Sequence, residues 1–343
     1  MPDMTGPEGQ TKERTMLDPG LRSRGMRDLG PEAMRRFRAA ERVFLDVVGA
    51  REYQEIRTPT IEPLHLFTAT SSLSPQLLDR VYSFLDWDGW SGERVVLRPD
   101  GTVPAARWFE QRWQTQEPAR LCYVQQVYRF EPGDGEREQW QCGVELFGLP
   151  ALQADAELLL LARELLTAIG GRELQFDLAH AGLVRAVLEA AGVASAEQAA
   201  MHERLLSADP DVVTELAARF PAGAAALRML LAVDGAGLGY LQNLRAALLP
   251  VAPATAVALD ELEAAARALD AAGCAYRLVP ATAANFEYYT GLAFSLRAGG
   301  VACIGGGRYD GLGEAIGGRA VPGSGFGADL LRLAAILAGD EPR

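Results

Sequence analysis

No uncharged apolar run approaches the roughly 20 residues a transmembrane helix requires, so the 343-residue chain is not read as membrane-spanning. Histidine is scarce. His65, His180 and His202 lie far apart without neighbouring ligand partners, which excludes a metal site by spacing. Cys122, Cys142, Cys274 and Cys303 include no C-x-x-C pair and are widely scattered, so a zinc site and a disulfide framework are both excluded in favour of free, largely buried thiols. Positive charge is also in deficit: the formal net charge of −12 opposes the phosphate contacts that dominate nucleic-acid affinity. The basic stretch Arg22 to Arg42 is interleaved with Asp28, Glu32 and Glu41, and carries Met34, Phe37, Val43, Phe44 and Val47 at helical spacing. It therefore reads as the solvated face of an amphipathic helix. Residues 1–18 are rich in Gly, Pro, Thr and charge and lack an apolar h-region. They read as a disordered tail, not a signal peptide, and imply a cytoplasmic protein.

What remains is a chain long enough for one large domain, or a core with an insertion. Pro31 opens a helix ending near Gly49, a favourable first-turn position. Tyr53 to Arg57 alternates like a half-buried strand up to Pro59. Arg80 to Asp86 and Arg94 to Leu97 flank glycine turns as a hairpin, and Leu121 to Phe130 pairs with Gln139 to Phe147 around Pro132-Gly133-Asp134-Gly135. A helix from about Asp155 to Ile169 stops at Gly170-Gly171, and a strand follows from Leu174 to Leu178. Residues 183–273 are alanine- and leucine-rich, with short helical periods broken at Asp209-Pro210, Phe220-Pro221 and Pro250 to Pro253. Strand patterning returns at Ala275 to Val279, Gly291 to Leu296 and Val301 to Ile304. A helix through Leu337 then follows Gly325-Phe326-Gly327. The pattern predicts an α+β fold on an antiparallel sheet flanked by helices: a core in two parts, 19–182 and 274–343, with a helical insertion over 183–273.

Polar residues with chemical capacity concentrate in the strand-rich parts. Asp100 and Glu145 are acceptor carboxylates, Thr102 and Gln141 both donate and accept, Tyr289 and Tyr309 are flat rings with hydroxyl tips, and Arg129 is a permanent cation. Gln141 and Glu145 are four apart and face one side of a strand. This set suits an amino acid with a polar ring: acceptors for the ammonium, a cation for the carboxylate, polar partners for ring nitrogens and a flat wall. Taken singly, Asp100 can cap the helix that follows Gly101, Glu145 can face solvent, and Tyr309 can be a core ring. Gly305-Gly306-Gly307 permits either close backbone approach or a tight bend. With no Lys-Ser or Lys-Thr after it, it is not a P-loop.

In order and spacing, these segments resemble the catalytic domain of histidyl-tRNA synthetase from Asp18 onward. Glu55 to Pro59 resembles the class II motif 1 of the dimer interface. Tyr128-Arg129-Phe130-Glu131 resembles motif 2, whose Arg contacts the ATP α-phosphate. Gly325-Phe326-Gly327-Ala328 through Arg332 resembles motif 3, whose Arg lies on the ATP tail. Arg98-Pro99-Asp100, Tyr288-Tyr289-Thr290-Gly291 and Gly307-Arg308-Tyr309-Asp310 resemble the histidyl branch specifically. The resemblance implies a histidine pocket of Asp100, Thr102, Arg129, Gln141, Glu145, Tyr289 and Tyr309, with Arg129, Glu131 and Arg332 as remnants of an ATP site.

The departures carry as much information. Ala284 stands where the synthetase has an Arg between histidine and the α-phosphate, a loss worth roughly 3 kcal/mol or more of transition-state stabilisation. Asp100 replaces a Glu, Trp140 replaces a smaller polar ring, and the sequence stops after motif 3, without an anticodon-binding domain. In these features the chain is similar to the regulatory-subunit family of ATP phosphoribosyltransferase. That resemblance implies a non-catalytic, cofactor-free protein of histidine biosynthesis that self-associates through motif 1. It also implies a hetero-oligomer with the short-form catalytic subunit and feedback inhibition by histidine. The competing expectation is a minimal synthetase-like enzyme passing an aminoacyl adenylate to a non-standard acceptor, and a tRNA-binding module is a third.

Overall fold

The structure is a computed structural model that describes residues 22–69, 80–87, 89–113, 115, 117–133, 135–206, 209–231, 235, 237–279 and 289–340. The expected tail over 1–18 and the departure at Ala284, with its neighbours Glu287 and Tyr288, lie outside the described residues.

Helix α1 (Pro31–Gly49) begins with proline in its first turn and buries Phe37, Ala40, Phe44 and Val48, a stripe at three- and four-residue spacing. Its other face is solvated, with Arg36 paired to Glu32 and Arg38 to Glu41. Then follow β1 (Gln54–Glu55), β2 (Ile61–Pro63), α2 (Leu64–Ala69), β3 (Ser83–Trp87), β4 (Gly92–Leu97) and α3 (Thr102–Arg112). The long strands β5 (Ala119–Tyr128) and β6 (Glu138–Phe147) form a hairpin, followed by α4 (Ala151–Ala168) and β7 (Gln175–His180). Five helices come next: α5 (Ala181–Ala190), α6 (Ser195–Leu206), α7 (Pro210–Arg219), α8 (Ala224–Leu231) and α9 (Gly237–Leu248). The chain continues through α10 (Ala256–Ala271), β8 (Ala275–Leu278), β9 (Leu292–Ala298), β10 (Val301–Arg308), α11 (Leu312–Ala315), β11 (Gly323–Asp329) and α12 (Leu330–Leu337).

Eight strands build the main sheet in the order β1-β5-β6-β11-β10-β9-β7-β8, and β2-β4-β3 make a small second sheet. The fold is the expected α+β arrangement of a sheet flanked by helices, but the sheet is mixed and not wholly antiparallel. Its interior pairs are antiparallel, whereas β1 runs parallel to β5 and β8 parallel to β7 at the two edges. A parallel neighbour requires a crossover connection, and the helices between β7 and β8 supply it. The crossover helix α10 packs on α4, β7, β8 and β9, so the last helix of the 183–273 region is a layer of the core. Val212, Leu216 and Leu244 of that region share one apolar core with Leu158, Leu262 and Leu296.

One local expectation is corrected and one open alternative is resolved. The strand read over 53–57 shortens to two residues, because the chain leaves the sheet edge to reach Thr58 and Pro59. The triple glycine is no bend: β10 runs through it to Arg308, pairing Gly305 with Gly327, Gly306 with Phe326 and Gly307 with Gly325. A Cβ on Gly306 would sit 2.4 Å from the Gly325 carbonyl oxygen, so the residue type is set by strand packing.

Candidate functional site

A cavity of about 650 Å³ opens over the middle of the main sheet. Gly305, Gly325 and Gly327 line it from β10 and β11, leaving bare backbone where side chains would otherwise stand, and Gly306 adds its backbone alone. Gly305 in particular looks into open space.

The walls come from four segments. At the start of α3, Asp100 accepts a hydrogen bond from the Val103 amide at 3.1 Å. It therefore caps the helix and lines the cavity at once. Burial raises the Asp100 pKa, opposed by the Val103 amide, the Arg129 charge and the Thr102 amide. Gln141 on β6 accepts from the Gly101 amide at 2.8 Å through its side-chain oxygen, which fixes its amide against the same turn. Arg129 donates its Nε to the Pro99 carbonyl at 2.8 Å, so the cation is braced beside Asp100. Glu131 also lines the cavity and is ion-paired with Arg80.

Three tyrosines are seated on glycines. A Cβ on Gly307 would lie 2.8 Å from the Tyr289 ring, one on Gly323 would lie 2.8 Å from the Tyr309 ring, and one on Gly101 would lie 2.3 Å from the Tyr123 ring. Tyr289 and Tyr309 face the cavity, with Tyr289 kept protonated by burial and by the Glu145 and Asp100 carboxylates. Tyr123 lies beneath, fully buried between Gly101 and Gly143.

Of the residues expected to meet a ligand, Asp100, Thr102, Arg129, Gln141, Tyr289 and Tyr309 are brought together around one space. Glu145 is not among them. It does share the face of β6 with Gln141, but it is fully buried and accepts hydrogen bonds from the hydroxyls of Tyr309 and Tyr123, the latter at 2.9 Å. Burial pushes its pKa up to about 8, against hydrogen bonds from Tyr309, Thr102 and Tyr123. Glu145 thus supports the wall instead of forming it. Arg332 is not in that lining either: it sits past the Asp329 cap of α12, donates to the Ala302 carbonyl and borders, with Arg27 and Asp340, a second hollow that shares Glu136 and Asp329 with the cavity. The strand-to-helix turn carries its side chain out of the main lining and into this adjoining hollow. Trp140 faces the opposite side of β6 and meets Phe37 of α1 edge-on at 5.0 Å between ring centroids.

Composition of the walls was not foreseen in full. Five carboxylates line the cavity (Asp100, Glu131, Glu136, Asp177 and Asp329) against two guanidiniums, Arg80 and Arg129, among the described residues. Asp177 is held bidentate by Arg277 at 2.8 and 2.9 Å. The even spacing of Asp177 and Ala179 on β7 was the available signal, since both face the cavity. Arg98, two residues before Asp100, is buried and donates to the carbonyls of Thr58 at 2.6 Å, Pro59 at 2.9 Å and Gln126 at 2.7 Å. It stitches the segment resembling motif 1 to the cavity turn. No group of three or more potential metal ligands occurs among the described residues. The four cysteines are free. No described helix is long and apolar enough to cross a membrane.

Comparison with known proteins agrees with this architecture. Residues 25–333 match the family described as histidyl-tRNA synthetase. The chain is 41% identical, over 93% of its length and 78% of the relative's, to an ATP phosphoribosyltransferase regulatory subunit of Dehalococcoides mccartyi. A solved structure from Bacillus halodurans, described as an ATP phosphoribosyltransferase regulatory subunit/histidyl-tRNA synthetase, superposes with a TM-score of 0.79 at 25% identity, covering 92% of this chain and 83% of that one. A histidine–tRNA ligase subunit of Alicyclobacillus acidocaldarius superposes with a TM-score of 0.75 at 28% identity, over 95% and 98% of the two chains. The chain belongs to the ATP phosphoribosyltransferase regulatory subunit family, built on the histidyl-tRNA synthetase fold.

Proposed function

We propose that this chain is a non-catalytic histidine sensor that partners the short-form catalytic subunit of ATP phosphoribosyltransferase in the cytoplasm and conveys feedback inhibition. The observation that carries the reading is the charge and shape of the cavity. Asp100 offers an acceptor for an α-ammonium, Arg129 a cation for a carboxylate, and Tyr289 and Tyr309 stand as flat walls beside the Gln141 amide. Glu145 acts from beneath by fixing Tyr309. Glu131, Glu136 and Asp177 of the lining are ion-paired with Arg80, Arg27 and Arg277, and Asp329 caps α12, which leaves Asp100 and Arg129 as the charges placed to meet a zwitterionic ligand. Ala284 in place of a cation argues for binding without adenylate formation.

Self-association belongs to the same proposal. Exposed Ile61 and Phe84 on one face of the small sheet, and Leu85 and Trp87 on the other, lie on the sheet that follows the segment resembling motif 1, and exposed apolar side chains there support a contact surface. Regulation then follows from linkage: histidine shifts the catalytic partner only if it binds one state of the assembly better, and about 1–3 kcal/mol of coupling suffices. Reconstitution with a purified short-form catalytic subunit tests the proposal. The expected result is phosphoribosyl transfer that histidine inhibits only when this chain is present. Inhibition that is identical with and without the chain contradicts it.

The enzyme reading keeps one supporting observation, since Arg129 and Glu131 both line the cavity. Arg332, which that reading also needs, borders the adjoining hollow instead.

A further inference from the structure

Arg308 and Tyr309 are consecutive at the end of β10 and point to opposite sides of the sheet, as strand neighbours must. Tyr309 enters the cavity. Arg308, almost wholly buried, enters the helix layer and meets a cluster of ionisable groups. Its guanidinium is hydrogen-bonded to Glu261 of α10, whose same carboxylate oxygen lies 2.7 Å from His180 Nε2 at the end of β7. Asp155 of α4 and Asp310 are ion-pair neighbours of Arg308 at 3.8 and 3.6 Å, beyond hydrogen-bond distance. Among the described residues Arg308 Nε, Asp155 Oδ2 and His180 Nδ1 have no hydrogen-bond partner. Among the described residues, Glu261 is therefore the carboxylate within hydrogen-bond distance of the guanidinium.

Backbone contacts carry the position of Arg308 into the cavity wall. Its carbonyl accepts from the Thr290 amide at 2.8 Å, and the Thr290 hydroxyl accepts from the Asp310 amide at 2.9 Å. Thr290 directly follows Tyr289 of the wall. A Cβ on Gly291 would lie 2.1 Å from Arg308 Nε, so this turn is moulded on the guanidinium itself. Helix α10 already buries Leu259, Leu262, Ala266 and Leu269. Apolar packing keeps it on the sheet, while the ion pair sets its register against β10.

We propose that Glu261 is a positioning residue: through Arg308 it ties α10, and the outer helices packed on it, to the Tyr289 and Tyr309 walls, so that helix seating and ligand binding in the cavity are coupled. The coupling to histidine rests on the reading of the cavity given above; the tie itself does not. Two measurements on the full chain and its Glu261→Gln and Glu261→Asp variants separate them. In ligand-free hydrogen exchange, Glu261→Gln is expected to lose at least about tenfold protection at the Thr290, Tyr309 and Asp310 amides, with α1 unchanged as a control for global folding. Equal protection in variant and wild type overturns the tie. In calorimetric titration with histidine, Glu261→Gln is expected to bind at least about fivefold more weakly, with affinity partly restored in Glu261→Asp. Equal affinity in a folded Glu261→Gln chain overturns the coupling. Absence of binding by wild type overturns the histidine reading and the coupling built on it, while the exchange result still decides the tie.

Discussion

The hydroxyl of Tyr309 donates into the carboxylate of Glu145, so a ring that walls the cavity is held by a residue that does not reach it. Tyr123 donates to the other oxygen of the same carboxylate at 2.9 Å, which closes a buried triad under the site. Truncating Tyr309 to phenylalanine should therefore cost about 1–3 kcal/mol of stability, because the carboxylate loses a partner it cannot replace with water. Urea unfolding measures this, and a variant as stable as wild type would remove the triad from the account.

Glu145 also predicts a pH dependence. Its pKa is about 8 in the folded protein against an ordinary 4.5, so the folded state binds the proton more tightly than the unfolded chain. Its contribution is fully present below about pH 4.5 and is lost as pH rises through about 8. Glu145→Gln does not titrate. The unfolding free energy of the variant minus that of wild type should climb steadily across that window, and a flat difference would contradict the shift.

Gly101 and Gly143 both serve Tyr123. Cβ atoms there would lie 2.3 and 2.5 Å from the tyrosine, closer than real side chains come. Gly143→Ala is expected to destabilise by about 1–3 kcal/mol through overpacking and to disturb the Gly101–Gln141 hydrogen bond above it. Thermal unfolding together with histidine titration reads both effects. An alanine variant that keeps wild-type Tm would show that Tyr123 has room to move.

Asp100 is the acceptor assigned to the α-ammonium. Replacing it with asparagine keeps the shape and removes the charge, so histidine affinity should fall by about tenfold or more, the weight of a charge-assisted hydrogen bond. Unchanged affinity by calorimetry would reassign the ammonium to another carboxylate of the lining.

Much of this fold was legible because period-two and period-three-to-four patterns expose it directly. The hairpin of β5 and β6, the amphipathic stripe of α1 and the helical run between β7 and β8 all follow from local sequence. The cavity residues around Asp100, Gln141 and Tyr309 were legible through their resemblance to the synthetase. Tertiary packing hid the rest. The triple glycine is a straight strand because Gly305 to Gly307 face Gly325, Phe326 and Gly327 across a ladder, which no local rule states. Glu145 shares a strand face with Gln141, yet two tyrosine hydroxyls from β5 and the end of β10 cover it. Arg332 matched by order in a motif, but helix geometry turned it out of the main lining and into the adjoining hollow. The parallel edges depend on crossover connections, which strand patterns do not encode.

The central claim is that the cavity binds histidine without activating it. Histidine-dependent ATP–pyrophosphate exchange, run beside calorimetric histidine titration on the same purified chain, tests it most directly. The account predicts saturable histidine binding with exchange at background. Exchange above background would show a working adenylation site and contradict the account, and so would a chain that does not bind histidine.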